Sequence, residues 1–428
     1  MASSDKEQGK KKVTEIKTFS VPFSLEPIQE NISISTNAPN NNSKEKIINQ
    51  AFKFHSQGNI QEAANYYQSF INQGFKDYRV FSNYGVILKD LGNLQEAELS
   101  IRKAIELNPN YAVAHSNLGN ILRDLGRMEE SRVHRIKAVE LKPEEEKSVI
   151  VLAHQLCYEQ NYELALEYLR KNQSDSCQSL YLGCLLSLDK EKEFNEKYNE
   201  LSAKKACNAE IGGIVEHANI IYGKKYKSPF CNEAIKYVFI DKINEELFSK
   251  DHLKELISYN KTSKKQDRSQ GLLSNGIQTS GNLFSLDYPF IKAIKKALEI
   301  KIEKYKQEFR HSGQGFINNW PKDYELRSWM ISMKTGGFLK SHNHEYGWIT
   351  GSFYLQIPKY NGNDNDSGNI AFSYQGPRYP KKDKNFNLTI KKIETRDICI
   401  FPSSLFHHTI PFESKEERIC FVFDLVQK

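Results

Sequence analysis

The chain has 428 residues, 39% of them hydrophobic and 11% aromatic, and a formal net charge of +7. That length suits two or three domains, and no apolar run approaches the roughly 18 residues of a membrane-crossing helix. The N-terminal lysines have no apolar core behind them, which excludes a secretory signal. Seven cysteines, an odd number with no C-x-x-C pair, argue against a disulfide framework and for a reducing, cytoplasmic location. The basic residues fall in scattered clusters such as "GKKYK" and "PKKDK", which predicts a solvated surface with neither a nucleic-acid nor a membrane partner.

In chain order, residues 1–43 are poor in large apolar side chains, end in "TNAPNNNS", and predict a disordered lead. Two stretches then repeat one pattern, "YRVFSNYGVILKDLGNLQEAELSIRKAIELNPN" from Tyr78 and "AVAHSNLGNILRDLGRMEESRVHRIKAVELKPE" from Ala112. The offset of 112 − 78 = 34 residues and the small, aromatic and proline positions resemble the tetratricopeptide family. Gly85, Gly119, Ala97 and Ala104 are small where paired helices would cross, and Pro109 and Pro143 would end second helices. Weaker copies flank the pair, and a degenerate fifth around "SLYLGCLLSL" reads as a cap. The array is assigned to 44–203, an α-helical superhelix whose groove would take a peptide or protein partner. His115 and His134 are read as packing or surface residues.

Residues 204–282 read only as a mixed helical and linker region. From Tyr288 the apolar residues Ile291, Ile294, Leu298, Ile302, Tyr305 and Phe309 recur at helical spacing. Then come short β-branched and aromatic runs, "ELRSWMISM", "ITGSFYLQIP", "GNIAFSY", "NLTI", "DICIF" and "RICFVFDLV", separated by turns such as "KTGG" and "NGNDNDSG". Six such strands predict a double-sheet jelly roll over 283–428 with flanking helices. The fold class is therefore multidomain α + β.

Four of the eleven histidines lie in two windows, "FLKSHNHEYGWITG" and "FPSSLFHHTIPF". Residues two apart on a strand share a face, so His342 and His344 can grip one metal ion. His407 and His408 are adjacent and face opposite ways, so only one of the two should reach that ion. Eleven residues beyond His407, Arg418 opens the last strand, where an antiparallel return would bring it beside the metal-bearing segment.

This order of motifs, over roughly Leu272 to Phe423, resembles the iron(II)- and 2-oxoglutarate-dependent oxygenases, and most closely those found beside tetratricopeptide repeats. The resemblance implies that His342 and His407 ligate iron(II), and that Arg418 holds the distal carboxylate of the cosubstrate 2-oxoglutarate. Planar guanidinium and carboxylate form two parallel bonds. Tyr354 and Trp329 are candidate cosubstrate or pocket-wall contacts. The superfamily's carboxylate position is here His344, so the third ligand is His344, Glu345 or water. The implied activity is hydroxylation; the groove of the repeat array favours a peptide or protein substrate, with a small metabolite or sugar as the alternative. Two other readings stay open: an interaction scaffold with an idle jelly roll, and a non-oxidative metal cupin.

Overall fold

The computed structural model describes residues 41–57, 59–262, 271–279, 281–358 and 366–428. The disordered lead expected over 1–43 lies outside them except for residues 41–43, and most of the "NGNDNDSG" turn also lies outside. Two compact units divide between Gln178 and Ser179.

The first unit is a run of helices in successive pairs: α1 (Asn41–Ser56) with α2 (Ile60–Asn72), α3 (Tyr78–Asp90) with α4 (Leu94–Leu107), α5 (Ala112–Asp124) with α6 (Met128–Leu141), and α7 (Glu146–Tyr158) with α8 (Tyr162–Lys171). Pairing is tight because the crossing residues are small. A Cβ on Gly85 would stand 2.6 Å from Ile101 Cδ1, and one on Gly119 2.7 Å from Arg135 Cγ. Gly92 and Gly126, with φ of +87° and +79°, take the left-handed conformation that turns each first helix into its second. His115 is buried, its ring stacked on that of His134, as the packing reading expects.

The second unit takes in α9 (Asp175–Ser187) from Ser179 onward, then α10 (Glu191–Ala203) and α11 (Ala209–Tyr222), so the degenerate fifth copy around Ser179–Leu188 is helical and clusters with the C-terminal unit rather than with the repeats. Next come β1 (Phe239–Lys242), α12 (Lys250–Thr262), β2 (Leu273–Gln278), α13 (Pro289–Glu308) and the short α14 (Gly315–Asn318). The remaining strands are β3 (Tyr324–Leu339), β4 (Ile349–Gln356), β5 (Ile370–Ser373), β6 (Thr389–Lys391), β7 (Asp397–Pro402), β8 (Phe406–Thr409) and β9 (Arg418–Gln427). They form two antiparallel sheets, six-stranded in the order β1-β7-β4-β9-β3-β2 and three-stranded in the order β6-β5-β8.

Both faces of the larger sheet are covered. Phe353 and Phe421 point outward, against Phe248 and Phe284, and Ser332 meets Asn260 of α12. The inner face carries Trp329, Ile331, Cys420 and Tyr354 toward the smaller sheet. Burial on both faces explains why "DICIF" and "RICFVF" are continuous apolar runs without alternation. The "KTGG" turn is instead a bulge inside β3. Gly276 pairs with Met333 and Ser274 with Phe338, leaving residues 334–337 unpaired. Gly336 sits there at φ +69°, and a Cβ on Gly337 would meet Lys334 O at 2.5 Å.

Asp241 on β1 fastens this edge strand to α13, accepting hydrogen bonds from Lys301 and Lys304 at 2.8 Å each. Burial pushes its carboxyl up, but the two lysines outweigh it and hold the group at about 2. Its stabilisation is therefore present above the ordinary carboxylate range and is lost as pH falls through about 2. Asp241→Asn should cost about 2 kcal/mol at pH 7, because Lys301 is left buried without its counterion. The gap to the parent chain should shrink as acid protonates Asp241. Denaturant melts of both proteins at pH 7 and pH 3 check this; a gap that does not change with pH contradicts it.

Candidate metal and cosubstrate site

Three histidines converge where the two sheets meet. His342 and His407 form a two-way backbone bridge: His342 N–H donates to His407 O at 3.1 Å, and His407 N–H to His342 O at 2.9 Å. The next anchor is His344 N–H, donating to Ser403 O at 3.1 Å. One ring nitrogen from each of His342, His344 and His407 lies within 4.8 Å of the others. Among the described residues this is the one group of His, Cys, Asp and Glu side chains so arranged.

The hydrogen bonds behind the rings decide what they can do. His342 Nδ1 faces Lys340 O at 2.8 Å, and His407 Nδ1 faces Leu405 O at 3.2 Å. His344 Nδ1 faces both carboxylate oxygens of Asp424, at 2.7 and 2.9 Å. Carbonyl and carboxylate oxygens only accept, so each Nδ1 carries its proton and donates. In the neutral imidazole that arrangement leaves Nε2 with a lone pair for a metal. His344 Nε2 and His342 Nε2 stand 3.3 Å apart, a close approach of two acceptors that a shared cation would relieve.

Burial lowers the pKa of His342 to about 3, the neighbouring His344 adding to the effect. Protein atoms crowd its ring even though His342 keeps partial solvent exposure. Burial likewise drives His407 well below its ordinary value, followed by the influence of His342 and His344. Both rings are neutral at physiological pH, the form that ligates. The donor set fits a borderline divalent transition metal such as iron(II).

Asp424 is itself held. It accepts from Thr350 Oγ1 at 2.7 Å, and that hydroxyl lies 2.8 Å from Ser403 Oγ. Sequence reasoning passes over Asp424, although a charged residue inside the apolar run "RICFVFDLV", in step with Arg418 at period two, is a signal. Trp329 stacks on His344, with ring centres 5.8 Å apart and planes 17° from parallel. Glu345 lies outside the histidine group and is ion-paired to Arg378. His408 also lies outside it, opposite Ala371 in the β5–β8 ladder, and its Nδ1 is buried with no hydrogen-bond partner.

Arg418 is 2% exposed. Its Nε donates to Gly368 O at 3.0 Å, its Nη1 faces Cys420 Sγ at 3.8 Å, and its guanidinium lies over the Tyr354 ring at 5.1 Å. Burial pushes the pKa values of Tyr354 and Cys420 up, so neither supplies a negative charge. Among the described residues no carboxylate pairs with Arg418, and the buried Tyr354 hydroxyl has no partner but that guanidinium. A buried cation without a carboxylate fits an anionic ligand group, since an uncompensated buried charge is costly.

Gln278 shares this inner face. It pairs with Ile331, Ile331 pairs with Cys420, and Cys420 pairs with Tyr354. Its Oε1 is buried with no hydrogen-bond partner. No spacing or motif around Gln278 signals this, because the region reads only as linker.

If Asp424 fixes the tautomer and orientation of His344, Asp424→Asn should weaken divalent metal binding by about 10- to 100-fold. The expected change in thermal midpoint of the metal-free protein is small. Co(II) titration followed by absorbance measures the first quantity, and unchanged affinity would remove Asp424 from the site.

Residues 327–424 match a family described as "Putative 2OG-Fe(II) oxygenase". Residues 78–111 and 101–132 match tetratricopeptide repeat families. Against curated proteins the sequence finds no match. Among solved structures, a Pseudomonas putida prolyl-4-hydroxylase aligns at 9% identity and TM-score 0.30, covering 45% of this chain and 92% of that one. A MamA structure aligns at 16% and 0.34, covering 38% and 94%. The first tetratricopeptide domain of Spaghetti, bound to an HSP90 peptide, aligns at 21% and 0.26, covering 27% and 90%.

Proposed function

We propose that this chain, which carries a 2OG-Fe(II) oxygenase domain behind tetratricopeptide repeats, is an iron(II)- and 2-oxoglutarate-dependent hydroxylase of a peptide or protein. One observation carries the reading. Three imidazoles bring ring nitrogens to one point, and the sheet face whose Trp329 and Asp424 contact His344 presents a buried arginine with no carboxylate of its own.

His342, His344 and His407 would hold the metal, with Asp424 keeping the proton on His344 Nδ1. Arg418 would take the distal carboxylate of 2-oxoglutarate, and the Tyr354 hydroxyl would donate to it. When bound, iron(II) and 2-oxoglutarate would supply the oxidative chemistry, in which one atom of dioxygen enters succinate as carbon dioxide leaves and the other enters a C–H bond. Protein side chains orient and exclude water: Trp329 walls one side of His344, while Phe372 and Phe401 pack on His407. The repeats would present the polypeptide substrate, since stacked helical pairs form extended concave surfaces. Among the described residues no helix is long and apolar enough to cross a membrane.

The deciding experiment is anaerobic addition of iron(II) and then 2-oxoglutarate to the full chain. A weak visible charge-transfer band, followed by succinate release on admitting oxygen, is expected. Absence of both overturns the reading. Within it, Arg418→Met should raise the 2-oxoglutarate requirement by roughly 30- to 1000-fold, the loss of a charge-assisted contact of about 2–4 kcal/mol. Metal affinity should stay within a few-fold of the parent, and an unaltered 2-oxoglutarate dependence would exclude Arg418 as the anchor.

A further inference from the structure

The residue after His344 is engaged from far along the chain. Arg378, in the segment between β5 and β6, forms ion pairs with Glu345 and with Glu210 on α11, the latter at 3.3 Å. The two carboxylates are 19% and 7% exposed, and the arginine 30%. Tyr379 O–H also donates to Glu210 Oε1, at 3.3 Å.

The segment bearing Arg378 is itself fixed to α11. His217 is wholly buried; its Nδ1 accepts from Gly376 N–H at 3.0 Å and its Nε2–H donates to Pro380 O at 2.9 Å. Its ring stacks on Phe386 and meets Tyr379 edge-on. Gly376 lies so near Phe406, the neighbour of His407, that a Cβ there would stand 2.8 Å from Phe406 Cζ.

The same helix touches both stretches of chain that bear the histidines. A Cβ on Gly213 would meet Ser404 O at 2.9 Å and Asn343 Nδ2 at 3.3 Å, and one on Gly212 would meet Ser404 Cβ at 2.8 Å. The stretch from His342 to Gly347 needs such support. It lies outside the named strands, held by the bridge to His407 and the bond to Ser403.

We propose that Arg378 is a positioning residue for the three-histidine site: seated on α11 by His217, it fixes Glu345 and through it the ligating placement of His344. This role rests on the three histidines being the metal site. It also accounts for Glu345 standing outside the ligand set, since its charge is taken up by Arg378.

The test is Co(II) titration of the full-length protein, read by visible absorption, alongside melting of the metal-free form. Arg378→Met should weaken Co(II) binding by about 10-fold and alter the ligand-field bands, with Arg378→Lys recovering most of the loss. Glu345→Gln should match Arg378→Met, and the double variant should be no weaker than either single one, as expected of two residues acting through one contact. Parent-like Co(II) affinity and spectrum in both Arg378→Met and Glu345→Gln would overturn the proposal, as would a lowered melting point with unchanged Co(II) binding. Should Arg378→Met fail to fold, Glu345→Gln alone decides in the same way. Equal Co(II) binding by the parent chain and His342→Ala would instead overturn the metal site itself.

Discussion

Two backbone hydrogen bonds exchanged between His342 and His407 bring the ligand-bearing stretches together. One stretch precedes β4 of the larger sheet and the other opens β8 of the smaller, so the bridge closes the space between sheets at the site. Each such bond contributes only about 1 kcal/mol net, too little to hold three rings in register alone. The rest comes from behind: a carbonyl or carboxylate on every Nδ1, Trp329 against His344, and α11 against Asn343 and Ser404. The site is a small bridge with a large scaffold.

Charge is arranged on the same plan. Three imidazole ligands would leave a divalent cation's charge uncompensated, and Asp424 would act on it only through His344. A carboxylate at one remove binds less directly than a ligating one but makes its histidine more basic. Arg418, two residues before Cys420 on β9, sets a fixed positive charge along the same strand. A dianionic ligand spanning from metal to guanidinium would answer both charges.

Repeats are legible in the sequence because their physics is local. A 34-residue period with glycine at the crossing positions and proline after the second helix in the two strong copies needs no distant contact to be recognised. Six of the seven strands from "ELRSWMISM" to "RICFVFDLV" are legible as apolar runs between turn residues; β8, the four-residue "FHHT", is not among the runs so read. β1 and β2 are not: four and six residues long, polar, and half-exposed, "FIDK" and "LSNGIQ" are strands only because β7 and β3 pair with them. Strand periodicity picks out the histidine pair, yet His342 to Gly347 contains one bridge and a turn. The same-face inference survives because both backbone amides bond to the stretch at residues 403–407. The placement of Glu345 beside Arg378, 33 residues on, and of Tyr374 to Phe386 beside His217, comes from tertiary packing that no spacing encodes.

The outer strands of the larger sheet have a bearing on where this oxygenase unit begins. The family match spans 327–424, but β1 and β2, which cap β7 and β3, lie before it. A fragment cut to the matched span would bare the backbone of "DICIFP", six residues buried throughout in the whole chain. An apolar, unpaired edge of that kind is a template for strand addition by another copy. Residues 239–242 and 273–278 thus act as edge guards, and they tie the solubility of the larger sheet to a region that lies before the matched span.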